Sequence, residues 1–110
     1  MHVEQFKHVN QFHITDLYKH ILQSYSSKVV EITNNPGCIQ CIILGRDWDY
    51  STTTSKHVYE FLDEFSKLYI PYNTTNKRKY INDLLKECKE DKRKFADEHN
   101  FTIYYDESMR

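Results

Sequence analysis

Two β-branched runs that face each other across Asn34-Asn35-Pro36-Gly37 constrain this chain most. Lys28 to Thr33 carries Val29, Val30, Ile32 and Thr33, and Cys38 to Leu44 carries Ile39, Ile42, Ile43 and Leu44. Side chains branched at Cβ pack well on a pleated surface and lose rotamer freedom in a helix. The tetrapeptide between them is a turn, because proline presets φ and glycine accepts positive φ. The spacing predicts an antiparallel hairpin whose second run is apolar enough to be a central strand.

A lone hairpin is marginal in water, so other elements must cover it. Apolar stripes at helical spacing supply candidates. Leu17, Tyr18, Ile21, Leu22 and Tyr25 predict a helix over 16–25, capped by Thr15. Val58, Phe61, Leu62, Phe65, Leu68 and Tyr69 predict a second, ended by Pro71. Tyr80, Ile81, Leu84, Leu85, Cys88 and Phe95 predict a third over 77–98, with His99-Asn100 as its stop. Phe101 to Tyr105 alternates and predicts a final strand beside the hairpin. Val3, Phe6, Val9 and Phe12 recur every third residue and fit a short helix or an extended arm. The expected order is α-β-β-α-α-β. That is an α+β fold: a small antiparallel sheet, formed by the hairpin plus the C-terminal strand, covered by about three helices. No linker or repeat interrupts the 110 residues, so residues 1–110 are expected to form a single domain.

Charge and cysteine content exclude several roles. The net charge is -1, which gives no general electrostatic grip on nucleic acid and no acidic mimic of it. Any charged partner surface must come from local segregation. Three cysteines, an odd number, argue against a disulfide framework and for a reducing compartment. No apolar run is long enough for a membrane span, and Met1 to Gln5 lacks signal-peptide character. The expectation is a cytoplasmic protein with no membrane partner. Nine tyrosines point to a core or a binding face made of amphipathic rings.

Asp49 to His57 reads as a capping loop that starts an amphipathic helix. Ser51, Thr52, Thr53, Thr54 and Ser55 place five hydroxyls where four orphan N–H groups need partners. Capping alone is one reading, with Lys56 and His57 facing solvent. Yet two potential cations at the positive end of a helix are unfavourable unless an anion binds there. A phosphate or carboxylate is therefore the second reading. Lys77-Arg78-Lys79 starts the last helix beside Tyr72 and Tyr80. It fits either a solvated face or a grip on single-stranded nucleic acid. Asp47, Asp49 and His57 could equip a small metal-dependent hydrolase or nuclease, although nothing in their spacing requires it. Cys38-x-x-Cys41 lacks the second ligand pair of a zinc site and reads as buried small apolar residues. His8, His13 and His20 have no metal-binding spacing and read as surface histidines. No metal, catalytic residue or cofactor is assigned.

Tyr50-Ser51-Thr52-Thr53-Thr54-Ser55-Lys56-His57, after a strand-turn-strand and before a helix, resembles a group of small uncharacterised phage and mobile-element proteins. Their pattern is Tyr-Ser-x-Thr-Thr-Ser-Lys/Arg-His, and the likeness spans Ser24 to Phe65. It implies a phage or mobile-element context. Proteins of that kind and size often bind and inhibit a host target, which makes an anti-defence, anti-CRISPR-like factor the leading expectation. Its partner would be a host protein or nucleoprotein. A nucleic-acid-binding accessory protein is the alternative, and the small hydrolase is the second alternative. The expected contact residues are Arg46, Trp48, Tyr50, Lys56 and His57, together with Lys77, Arg78 and Lys79. Trp48 and Tyr50 would be the aromatic anchors, and Arg46 and Lys56 the charged contacts.

Overall fold

A computed structural model of the protein describes residues 1–7 and 10–110. His8 and Val9, which belong to the histidine and three-residue patterns above, lie outside the described residues. The fold is α+β, with β1 (His2–Gln5), β2 (Gln11–Asp16), β3 (Lys19–Ser24), β4 (Ser27–Thr33) and β5 (Gln40–Gly45). Helices α1 (Thr52–Phe65), α2 (Lys77–Glu90) and α3 (Lys92–His99) follow, and β6 (Phe101–Asp106) closes the chain. The strands form one sheet in the order β1-β2-β3-β4-β5-β6. Successive strands from β1 to β5 pair antiparallel, and β6 lies parallel to β5.

The β4–β5 hairpin forms as expected, with Ile32 opposite Ile42 and Val30 opposite Leu44. The sheet is larger than a hairpin plus one strand. The expected helix over 16–25 is instead the β2–β3 hairpin, with Ile14 opposite Ile21 and His13 opposite Leu22. Leu17 and Tyr18, which seemed to start a helical stripe, are exposed beside its turn. Ile21 and Leu22 are adjacent, point to opposite faces of the strand and are both buried. Burial on both faces erases the alternation that marks a strand. The described part of the stretch 3–13 contains an exposed edge strand, β1, and the start of β2.

Two further expectations need correction. The long helix over 77–98 breaks at Asp91, which ends α2 and caps α3 by accepting from the Lys94 N–H (3.1 Å). The second helix stops at Phe65, well before Pro71: Ser66 takes extended backbone angles, and the next two N–H groups donate to Gln40 Oε1 (2.7 Å) and Ser66 Oγ (3.1 Å) in place of helix carbonyls. The last strand is parallel to its neighbour because three helices separate it from β5. That is long enough to return the chain to the starting edge.

Cross-strand rows show where the core sits. His13, Leu22, Val30 and Leu44 form one row, and His20, Ile32, Ile42 and Ile103 form the next. Val58, Phe61 and Leu62 of α1 belong to the same fully buried cluster. A β-bulge at Leu22/Gln23 leaves Val29 between two register positions, so Val29 and Val30 are both buried. At the C-terminal end of β5, Arg46 N–H donates to the Met109 carbonyl (3.0 Å), and the chain terminus lies against Gly45. No helix among the described residues is long and apolar enough to cross a membrane.

A Cβ at Gly45 would run into the Lys28 carbonyl oxygen and lie 2.8 Å from that of Met109. Both obstacles are backbone, so Gly45→Ala is expected to destabilise the fold by about 1–3 kcal/mol. A lower urea midpoint at unchanged m-value is the readout.

His13 and His20 share a ring-to-ring hydrogen bond (Nε2 to Nδ1, 2.8 Å) beneath Phe65. Burial, reinforced by His13, holds His20 below the ordinary histidine value. The folded protein then binds this proton less readily than the unfolded chain. Stability is complete above the ordinary histidine range and is lost as pH falls through it. The urea midpoint should drop between about pH 7.5 and about pH 5.5, and His20→Gln should reduce that drop.

Candidate functional site

The site is built around the first turn of α1. Ser51 has extended backbone angles and caps the helix, its Oγ accepting from the Thr54 N–H (3.1 Å). The N–H groups of Thr52 and Thr53 point out of the helix with no acceptor inside it. No acid stands in this turn, so the positive end of the dipole is not offset, and exposed Lys56 adds to it. The same arrangement recurs at α2. Asn76 accepts from the Lys79 N–H (2.9 Å), and the first turn is Lys77, Arg78 and Lys79 with no acid.

Two hollows flank the start of α1. The first, of about 760 Å³, lies between the helix and the end of the sheet. Gln11, Ser24, Ser27 and Asp47 line its sheet side. Thr52, Thr53, Lys56 and His57 line its helix side, and Tyr25 and Tyr50 contribute rings. The second, of about 640 Å³, is a groove between the N-termini of α1 and α2, lined by Asp49, Tyr59, Asn76, Lys77 and Arg78. Tyr50, Ser51, Thr52 and Lys56 line both and form the ridge that divides them.

Electrostatics differ between the two. In the groove, Arg78 pairs with Asp49 (2.7 Å) and the Lys77 ammonium lies 5.8 Å from the centre of the Tyr59 ring. Burial pushes the Tyr59 phenol up, against the opposing hydrogen bond to Ser55. In the first hollow, the Arg46 side-chain hydrogen bond, with help from Ser27, holds Asp47 below the usual carboxylate range. Asp47 therefore presents a charged acceptor there.

The eight expected contact residues separate by position. Tyr50, Lys56, Lys77 and Arg78 converge on the groove. Lys79 is exposed one position further along α2 and pairs with Asp83 (3.0 Å). Arg46 is outside both hollows and pairs with Asp47 (3.2 Å). Two placements correct the sequence reading. Trp48, expected as a surface anchor, is 2% exposed and packs edge-on against Tyr59. Its backbone N–H donates to the Gly45 carbonyl (3.1 Å), a tight turn after β5 that precedes its entry into the core. His57, expected to face solvent if the loop is only a cap, is buried and lines the first hollow.

The acids do not assemble as a hydrolase would need. Asp47 and His57 line the first hollow while Asp49 lines the other and is held by Arg78. Cysteine burial also differs from expectation: Cys38 is exposed and Cys41 half-buried, since Cys38 precedes β5 in the turn, and Cys88 alone is buried. Gln11, Ser24, Tyr25 and Ser27 were not expected at a site. Gln11 lies in the unassigned arm over 3–13, Ser24 and Tyr25 in the expected helix over 16–25, and Ser27, the first residue of β4, at its expected end.

Residues 3–77 match the model of a family of unknown function, DUF8033. The chain belongs to this family. No curated protein and no solved structure matches it. The DUF8033 segment contains every residue lining the first hollow and ends at Lys77, the first residue of α2. Beyond that segment, Glu87, Glu98 and His99 bring ligand atoms within 4.8 Å of one another on α2 and α3. Among the described residues no other group of three such side chains could hold a metal ion. His99 already faces Glu87 (3.7 Å) and packs on Phe95.

Burial therefore divides the two aromatic candidates of the DUF8033 loop. Trp48→Ala is expected to cost about 3–5 kcal/mol of folding stability. Tyr50→Ala, at 81% exposure, should stay within about 0.5 kcal/mol. Ser51→Ala, which removes the cap, should cost about 1 kcal/mol. Urea unfolding of the three variants measures all of these.

Proposed function

We propose that the chain is a non-enzymatic accessory protein of a phage or mobile element, which binds a host protein or nucleoprotein and blocks it. The role is anti-defence, of the anti-CRISPR kind, exercised in the host cytoplasm. The observation that carries the binding reading is the groove between α1 and α2, where Tyr50, Lys56, Lys77 and Arg78 meet from two separate segments. Cations at the positive ends of two helices repel those ends and one another. A partner that brings carboxylates or phosphates relieves both repulsions at once. Tyr50 stands beside them as an exposed ring able to anchor an interface. The phage or mobile-element context rests on the resemblance of Tyr50 to His57, and inhibition follows from that context.

The groove also favours one alternative. Lys56, Lys77 and Arg78 next to Tyr50 and Tyr59 suit a single nucleic-acid strand, with cations on phosphates and rings under bases. Net charge of -1 confines that grip to this groove.

The test is capture from a host lysate by the immobilised full chain, with mass spectrometry of what is retained. The Tyr50→Ala/Lys56→Glu/Lys77→Glu variant, whose positions are all at the surface, is expected to fold and to lose the partner. Equal capture by the folded variant would overturn the site. Fluorescence anisotropy with a single-stranded oligonucleotide decides the alternative. Binding lost steeply between about 50 and 200 mM salt supports it, and no binding at the lower concentration rejects it.

A further inference from the structure

Gln11 is 2% exposed, and its Nε2 donates to the Ser24 hydroxyl (2.8 Å). Its Oε1 is buried and has no hydrogen-bond partner among the described residues. An unpaired buried acceptor costs about 1–3 kcal/mol, and a leucine here would avoid that cost. Gln11 lines the first hollow, across from the uncapped N–H groups of α1. The two sides of this hollow are chemically opposite. Acceptors stand on the sheet side, in Gln11 and the charged Asp47 carboxylate. Donors stand on the helix side, in the first-turn N–H groups, the threonine hydroxyls and Lys56.

We propose that this hollow is a nucleotide site, distinct from the groove of the proposed function although Tyr50, Thr52 and Lys56 line both. The phosphate binds at the α1 N-terminus, where Thr52, Thr53 and Lys56 meet it. The base presents its N–H donors to Asp47 and Gln11. The Ser24 hydroxyl can serve either end of the Gln11 amide, so Gln11 can complement a donor or an acceptor on the base edge. Tyr25, 67% exposed, and Tyr50 supply ring faces for stacking. An amino acid would also join a donor to an anion. It would leave both tyrosines and most of the 760 Å³ unused, a volume within the usual range for ligands of nucleotide size.

Isothermal titration calorimetry of the full chain tests this with the four ribonucleoside 5′-monophosphates, their parent nucleosides and inorganic phosphate. At least one nucleotide should bind about tenfold or more tighter than both its nucleoside and phosphate alone. No heat from any nucleotide at millimolar concentration overturns the proposal, as does phosphate binding as tightly as the nucleotides. Thr53→Glu places a carboxylate in the exposed first turn, where it favours the helix. This variant should keep its melting temperature and lose nucleotide binding. Gln11→Leu should weaken binding about tenfold. Unchanged affinity in either folded variant overturns the site. Lys77→Glu, outside this hollow, should leave nucleotide affinity unaltered and thereby separates this site from the groove.

Discussion

The packing of α1 across the sheet determines the rest of the structure. Val58, Phe61 and Leu62 come together with Leu22, Val30, Ile42 and Leu44 in one fully buried cluster. Phe61 also meets Phe6 edge-on at 5.3 Å and His13 at 5.4 Å. These contacts fix the middle and C-terminal half of the helix over β2, β3 and the loop before β2. The N-terminal turn, made of Ser and Thr, has no comparable apolar anchor. It is held by the Ser51 cap and by Trp48, which turns into the core just before it. A helix fixed at one end and polar at the other leaves space where its polar end meets the sheet. Both hollows follow from this.

The same arrangement explains the charge pattern. A helix ordinarily gains from acids in its first turn and bases in its last. Here α1 and α2 have no acid in their first turns, and α2 starts with three successive cations. Asp49 answers Arg78 and Asp83 answers Lys79, which leaves Lys77 over the Tyr59 ring. The helix–sheet core supplies enough stability to tolerate this local mismatch, which stability alone would not select. The α2 cations face the groove, and the Gln11 acceptor, which has no partner among the described residues, faces the hollow on the other side of the Tyr50–Lys56 ridge. Each is a local cost that a bound partner would remove.

Legibility in the sequence followed periodicity. The β4–β5 hairpin was plain because Asn34-Asn35-Pro36-Gly37 separates two β-branched runs. The α1 and α2 stripes were plain because each buries one face only. The β2–β3 hairpin was hidden: its turn contains neither glycine nor asparagine, and Ile21 and Leu22 are buried on opposite faces. Mistaking it for a helix removed Ser24 and Tyr25 from view as site residues, and the unassigned arm over 3–13 hid Gln11. Trp48 was misjudged for a related reason. An aromatic between two aspartates in a loop looks exposed, and only the tight turn from Gly45 places it inside. Tyr50, Lys56, Lys77 and Arg78 were recoverable because unbalanced charge at a helix start can be read without knowing the fold.

The family boundary sets the two hollows apart. β2 through β5 and α1 fall within residues 3–77, and β2, β3, β4, α1 and the loops after β3 and β5 build the first hollow. The groove needs α2 as its second wall, and α2 lies almost entirely beyond that boundary. β6 adds a parallel edge to β5, and Phe101 and Ile103 join the core there, so the C-terminal α2–α3–β6 unit is packed as firmly as the rest. A segment that extends a sheet and also brings Lys77 and Arg78 to face Lys56 can change what the groove recognises without disturbing the hollow behind it. The two sites share the Tyr50–Lys56 ridge, but the first is walled by the matched segment alone, while the second needs Arg78 from the part of α2 beyond it.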